Sequence, residues 1–79
     1  MNTLKLSNVS LADYRLFLQR VGCTSVIVSG GHEKWVKNGL MRPIIVQTHV
    51  DPVPEFIIKN ALRVLNLSKF DFFKILGSK

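Results

Sequence analysis

Histidine is scarce in this chain of 79 residues, and one of its 2 copies, His32, directly follows the pair Gly30-Gly31. Paired glycines mark a turn, because they take positive φ angles without steric cost. A turn needs no bulky residue after it. His32 is therefore either an incidental surface residue that starts a strand, or the residue the turn exists to present. An imidazole exists in either protonation form near neutrality and suits proton transfer. Glycines ahead of it leave room for another backbone, and their exposed N–H groups can donate to phosphate. These are parts for cleaving a phosphodiester without metal: a hydroxyl loses a proton, the leaving oxygen gains one, and positive charge stabilises the phosphorane between them. His49 is a candidate for the second proton transfer; its bland alternative is a loop histidine bonded to backbone beside Pro52.

Lys34, Lys37, Arg42, Lys59 and Arg63 are candidate phosphate contacts beside Gly30 and Gly31, the alternative being an ordinary solvated basic face. Strand alternation puts Lys34 on the side of His32, and Glu33, Trp35 and Lys37 on the other. If Trp35 faces the helices, His32 and Lys34 face outward; a bulge after Gly31 would break that parity. Trp35 itself suits the core, with a base-stacking platform as the alternative. Other chemistries lack their patterns. Cys23, His32, Glu33 and His49 have none of the spacings of a zinc site, so no metal or other cofactor is expected. Gly30-Gly31 has no Gly-Lys-Ser/Thr behind it, as a phosphate loop would.

The elements that must position these residues belong to one small domain, with residues 1–8 as an N-terminal extension. Cys23 is alone, which excludes an internal disulfide and favours a reducing, cytoplasmic setting. The start, MNTLKLSNVS, lacks the apolar run of a signal peptide, and no segment approaches the ~18 apolar residues of a membrane span. A formal net charge of +6 on 8.9 kDa favours nucleic acid as partner through counterion release. An acidic protein partner, or solubility alone, would also account for it.

Ser10-Leu11-Ala12-Asp13 is a capping box, and Leu11, Tyr14, Phe17, Leu18 and Val21 recur at helical spacing up to Gly22. This predicts a helix from Leu11 to Val21. The β-branched run Thr24 to Ser29 reads as a strand, and His32 to Lys37 and Met41 to Gln47 flank the hairpin signal Asn38-Gly39. Pro43 lacks a ladder donor, so the third strand lies at an edge or starts near Pro43. Pro54 suits the first turn of a helix carrying the stripe Ile58, Ala61, Leu62 and Leu65. A second capping box, Ser68-Lys69-Phe70-Asp71, opens a last helix reaching about Leu76. The expected fold is α+β, ordered α-β-β-β-α-α, with helices on one face of a three-stranded antiparallel sheet.

That order is also how double-stranded-RNA-binding-like domains are built, and with these motifs the chain resembles the HicA (YcfA-like) family. Members of that family are small mRNA interferases of bacterial toxin–antitoxin pairs. Gly30-Gly31-His32 stands where the family has Gly-Ser-His, with Trp35 at its usual aromatic position. Gln47-Thr48-His49 stands for its Pro-x-His, and Ala61-Leu62-Arg63-Val64-Leu65-Asn66-Leu67-Ser68 for its Ile-Leu-Lys-x-x-Gly-Leu-Ser. The likeness runs from about Val9 to Leu76. It departs from the pattern at Gly31, at the missing proline before His49, and at VDPVPE, which replaces a basic cluster. The resemblance implies a toxin endoribonuclease that cuts mRNA with His32, held inactive by a HicB-like antitoxin. A non-catalytic RNA-binding module on the same fold is the alternative, and a domain that pairs only with protein is a third.

The last helix carries its own signal. Phe70, Phe72, Phe73, Ile75 and Leu76 surround more than half of it, too much for one face of a small core. Phe72 and Leu76 are expected outermost, against a partner or a second copy, with Phe70 and Phe73 turned to the core.

Overall fold

The computed structural model describes residues 5–28 and 30–77, with backbone alone at Ile27 and Val28. Its elements follow the expected order: α1 (Leu11–Arg20), β1 (Thr24–Val28), β2 (His32–Val36), β3 (Ile44–Gln47), α2 (Glu55–Leu65) and α3 (Lys69–Leu76). The fold is α+β, with a three-stranded antiparallel sheet in the order β1-β2-β3 and the helices packed on one face. Among the described residues, no helix is long and apolar enough to cross a membrane.

Both N-caps sit where their residues place them. The Ser10 hydroxyl accepts from the Asp13 N–H at 3.0 Å and starts α1. At α3 the exchange is reciprocal: Asp71 N–H donates to the Ser68 hydroxyl, and Ser68 N–H donates to the Asp71 carboxylate. Those bonds hold the Asp71 carboxyl below its usual range. Helix α1 stops one residue short of the expected end, with Val21 as its C-cap. Pro54 is the N-cap of α2 rather than a residue of its first turn.

Strand β3 is shorter than its expected span from Met41. Pro43 has no N–H for the ladder, so pairing starts at Ile44, opposite Trp35. Asn38-Gly39 therefore closes a local turn, with Leu40 N–H on the Lys37 carbonyl at 3.1 Å, inside a longer connection. Ser29, the expected last residue of β1, lies outside the described residues, as do residues 1–4 of the extension.

Sheet register follows the alternation without a bulge after Gly31. Trp35, Ile44 and Val46 are buried under the helices, while Val26, Val36 and Ile45 lie exposed on the opposite face. The core joins that inner face to Tyr14, Phe17 and Leu18 of α1, Ile58, Ala61 and Leu62 of α2, and Phe72 and Leu76 of α3. Leu6 is fully buried with them, so the extension contributes to the domain. Val9 bridges Val53, and the Asp51 carboxylate accepts from Leu11 N–H, tying the segment after β3 to the start of α1.

The arrangement expected for α3 is reversed for Phe70, Phe72 and Leu76, while Phe73 packs against the core as expected. Phe72 has 0% of its surface exposed and Leu76 is buried, whereas Phe70 is 62% exposed. Phe72 and Leu76 lie one turn apart on the side facing α1, where the Phe72 ring meets Phe17 at a centroid distance of 4.6 Å. Phe70 precedes Phe72 by two residues, about 200° around the helix, and so points away. Phe73 is half-buried, packing edge-on against Phe72 at 5.1 Å. Phe72 and Leu76 are core residues and offer no surface to a partner.

Candidate functional site

The turn between β1 and β2 is built from two residues that only glycine fits well. Gly30 and Gly31 have φ of 82° and 81°, in the left-handed region. The space over Gly30 is open: a Cβ there would meet nothing within 4 Å. His32 leaves this turn as the first residue of β2, the central strand, and its side chain is partly exposed. Its Nδ1 lies 3.1 Å from the Gly30 carbonyl oxygen. A carbonyl can only accept, so Nδ1 carries the hydrogen, and in the neutral ring the lone pair sits on Nε2.

His49 reaches the same turn from the segment after β3. Gln47 pairs with His32, and the chain then runs past Gly31, whose carbonyl accepts from Thr48 N–H at 2.8 Å and from the Thr48 hydroxyl at 3.0 Å. This pair of hydrogen bonds clamps the two segments together. The His49 ring rests against the turn, with Nδ1 at 3.2 Å and Cε1 at 3.5 Å from the position of a Cβ on residue 31. Gly31 is thus flanked by His32 along the chain and by His49 across it.

Below the turn the backbone of β2 is anchored from the helical side. Glu33 accepts from Arg15 Nε at 3.1 Å and from Arg15 Nη2 at 2.9 Å, a bidentate pair. Trp35 Nε1 donates to the same carboxylate at 3.1 Å. Trp35 is buried, which places it in the core and leaves Lys34 exposed on the outer face with His32. The anchoring by Arg15 joins residues far apart in sequence, and no local pattern pointed to it.

The cations do not form one cluster. Lys34 shares the face of His32, two residues along β2. Lys37 lies at the far end of the sheet, its Cε 3.3 Å from where a Cβ on Gly22 would be. Arg42 and Arg63 line a separate groove with Ile45, Ile57 and Asn60, beyond the start of β3. Lys59 pairs with Glu55 one turn away at 3.6 Å, an exposed contact of little energetic weight. The residues brought together are thus Gly30, Gly31, His32, Lys34 and His49, with Thr48 as a member the sequence did not single out.

Cys23 is no part of this group. It is buried, and burial pushes its thiol up, with Lys37 opposing weakly, so it is a poor nucleophile. Comparison with family models, curated proteins and solved structures returned no match.

Proposed function

We propose that this chain is a metal-independent endoribonuclease, the toxin of a toxin–antitoxin pair of the HicA kind, acting on mRNA in the cytoplasm and neutralised by a HicB-like antitoxin. One observation carries the reading. His32 follows two left-handed glycines, and its Nδ1 hydrogen is engaged by the Gly30 carbonyl, so that Nε2 is the free basic nitrogen. A binding module has no need of a titratable group held in that way. In the proposed reaction Nε2 takes the proton of an RNA 2′-hydroxyl, whose oxygen attacks the adjacent phosphorus. Lys34, on the same face, and the glycine N–H groups stabilise the charge that develops on the phosphoryl oxygens. The net charge of +6 favours RNA as the ligand. Induced in a bacterial host, the parent chain should arrest growth and fragment transcripts, and His32→Ala should do neither. Arrest by the variant equal to that by the parent would overturn the reading.

A further inference from the structure

Transesterification of RNA needs a second proton transfer. As the 2′-oxygen bonds to phosphorus, the bond from phosphorus to the 5′-oxygen breaks, and that oxygen must gain a proton as it leaves. The two oxygens depart from and arrive on opposite sides of phosphorus. One imidazole cannot serve both at once. On the reading that His32 is the base, the remaining group must stand on the other side of the phosphate and within reach of it.

The geometry points to His49, whose ring rests against the turn that presents His32, as that general acid. The ring lies against Gly31, 3.2 Å from the place of a Cβ, so a side chain at position 31 would press on it. Its position is fixed from both sides. Thr48 is clamped to the Gly31 carbonyl by its N–H and hydroxyl, Val50 N–H closes back on the Gln47 carbonyl at 3.3 Å, and Asp51 holds the start of α1. His49 is also exposed, as a proton donor to a bound strand must be. A phosphate seated over the open Gly30 would have His32 two residues along the chain and the His49 ring against the neighbouring Gly31. The proton balance closes: His32 Nε2 gains the 2′-hydroxyl proton, His49 gives one to the 5′-oxygen, and the products are a 2′,3′-cyclic phosphate and a 5′-hydroxyl.

The test uses a single-stranded RNA oligonucleotide cut by the parent, together with the same RNA carrying sulfur in place of the 5′-oxygen at the mapped cleavage site. A thiolate leaves without being protonated, so it removes the need for the acid. His49→Ala and His49→Gln should slow the oxygen substrate by roughly 10²-fold or more and cut the sulfur substrate within a few-fold of the parent rate. His32→Ala should be slow on both. Equal slowing of both substrates by the His49 variants, or no slowing of either, would overturn the role of His49 while leaving His32 in place. Failure of the parent to cut any RNA, or parental cleavage by His32→Ala, would overturn the endoribonuclease reading and this inference with it. The glutamine variant keeps a polar side chain against Gly31, and its thermal unfolding shows whether loss of rate comes with loss of fold.

Discussion

The His49 ring and a side chain on residue 31 would occupy the same space: Nδ1 of His49 stands 3.2 Å from the Cβ position, tighter than an ordinary contact. Gly30 next to it has nearly the same φ and no neighbour within 4 Å of its own Cβ position. The pair thus forms a built-in control. Position 31 has to satisfy both the backbone and the ring, position 30 the backbone and the open space above it.

Gly30→Ala should cost about 1–3 kcal/mol of stability for a left-handed non-glycine residue and leave the His49 ring in place, so that any loss of cleavage per folded molecule comes from crowding of the phosphate seat alone. Gly31→Ala should carry the same backbone penalty and press on the His49 ring, reducing cleavage at least tenfold. Rates measured on protein verified as folded by circular dichroism separate the two. Equal cleavage by both variants would show that the ring can yield without consequence.

Helix α3 offers a second contrast. Phe72 is fully buried against Phe17, and Phe70 is mostly exposed. Phe72→Ala should destabilise by about 3–5 kcal/mol, a large share of the total for a small domain. Phe70→Ala should change stability by under about 0.5 kcal/mol. Urea unfolding of both variants measures this, and similar midpoints would mean that the helix is rotated from the position described.

Tyr14 is fully buried, and its hydroxyl has no hydrogen-bond partner among the described residues. Burial, reinforced by Cys23, pushes its phenol well above the ordinary range. Tyr14→Phe removes a buried polar atom without its partner, so stability at neutral pH should rise by about 1 kcal/mol. The sign of the pH effect follows from proton counts. Above about pH 10 the unfolded chain releases the phenolic proton and the folded chain retains it, so parental stability falls as pH rises. The phenylalanine variant should lack that share of the alkaline loss. Unfolding followed between pH 7 and pH 11 tests both parts, and a gap between parent and variant that stays constant would contradict the second.

The cations differ in what their loss should do. Lys34 shares the outer face with His32, whereas Lys59 is paired with Glu55. Lys34→Gln should weaken RNA binding and make the slope of log affinity against log salt shallower by roughly 0.7 for one lost contact to single-stranded RNA. Lys59→Gln should move neither by a comparable amount. Titrations of labelled RNA at several salt concentrations give both numbers, and equal effects would point to a diffuse field instead of a local contact.

Much of this architecture was legible in the chain because its signals are local. The capping residues Ser10 and Ser68, the β-branched run from Thr24, and the alternation that separates His32 and Lys34 from Trp35 each act within a few residues. The length of β3 was partly legible, since Pro43 announces where a ladder cannot extend. The face of α3 was not. Its apolar residues run most of the way round, and periodicity then says which residues share a side, without saying which side meets Phe17. At the candidate site, His32 was visible from its glycines. The nearness of His49 to the first turn followed from its place after the third strand, whereas the hold of Arg15 on Glu33 arises from contact between distant segments, to which no spacing points.

The central claim is that His32 removes the proton of an RNA 2′-hydroxyl without help from metal, and product chemistry tests it most directly. Purified parent protein, incubated in EDTA with end-labelled single-stranded RNA, should leave fragments ending in a 2′,3′-cyclic phosphate and beginning with a 5′-hydroxyl. His32→Ala, with unchanged thermal unfolding, should leave the RNA intact over the same time. Fragments bearing a 5′-phosphate and 3′-hydroxyl, activity that disappears with EDTA, or cleavage by His32→Ala at the parental rate would contradict it.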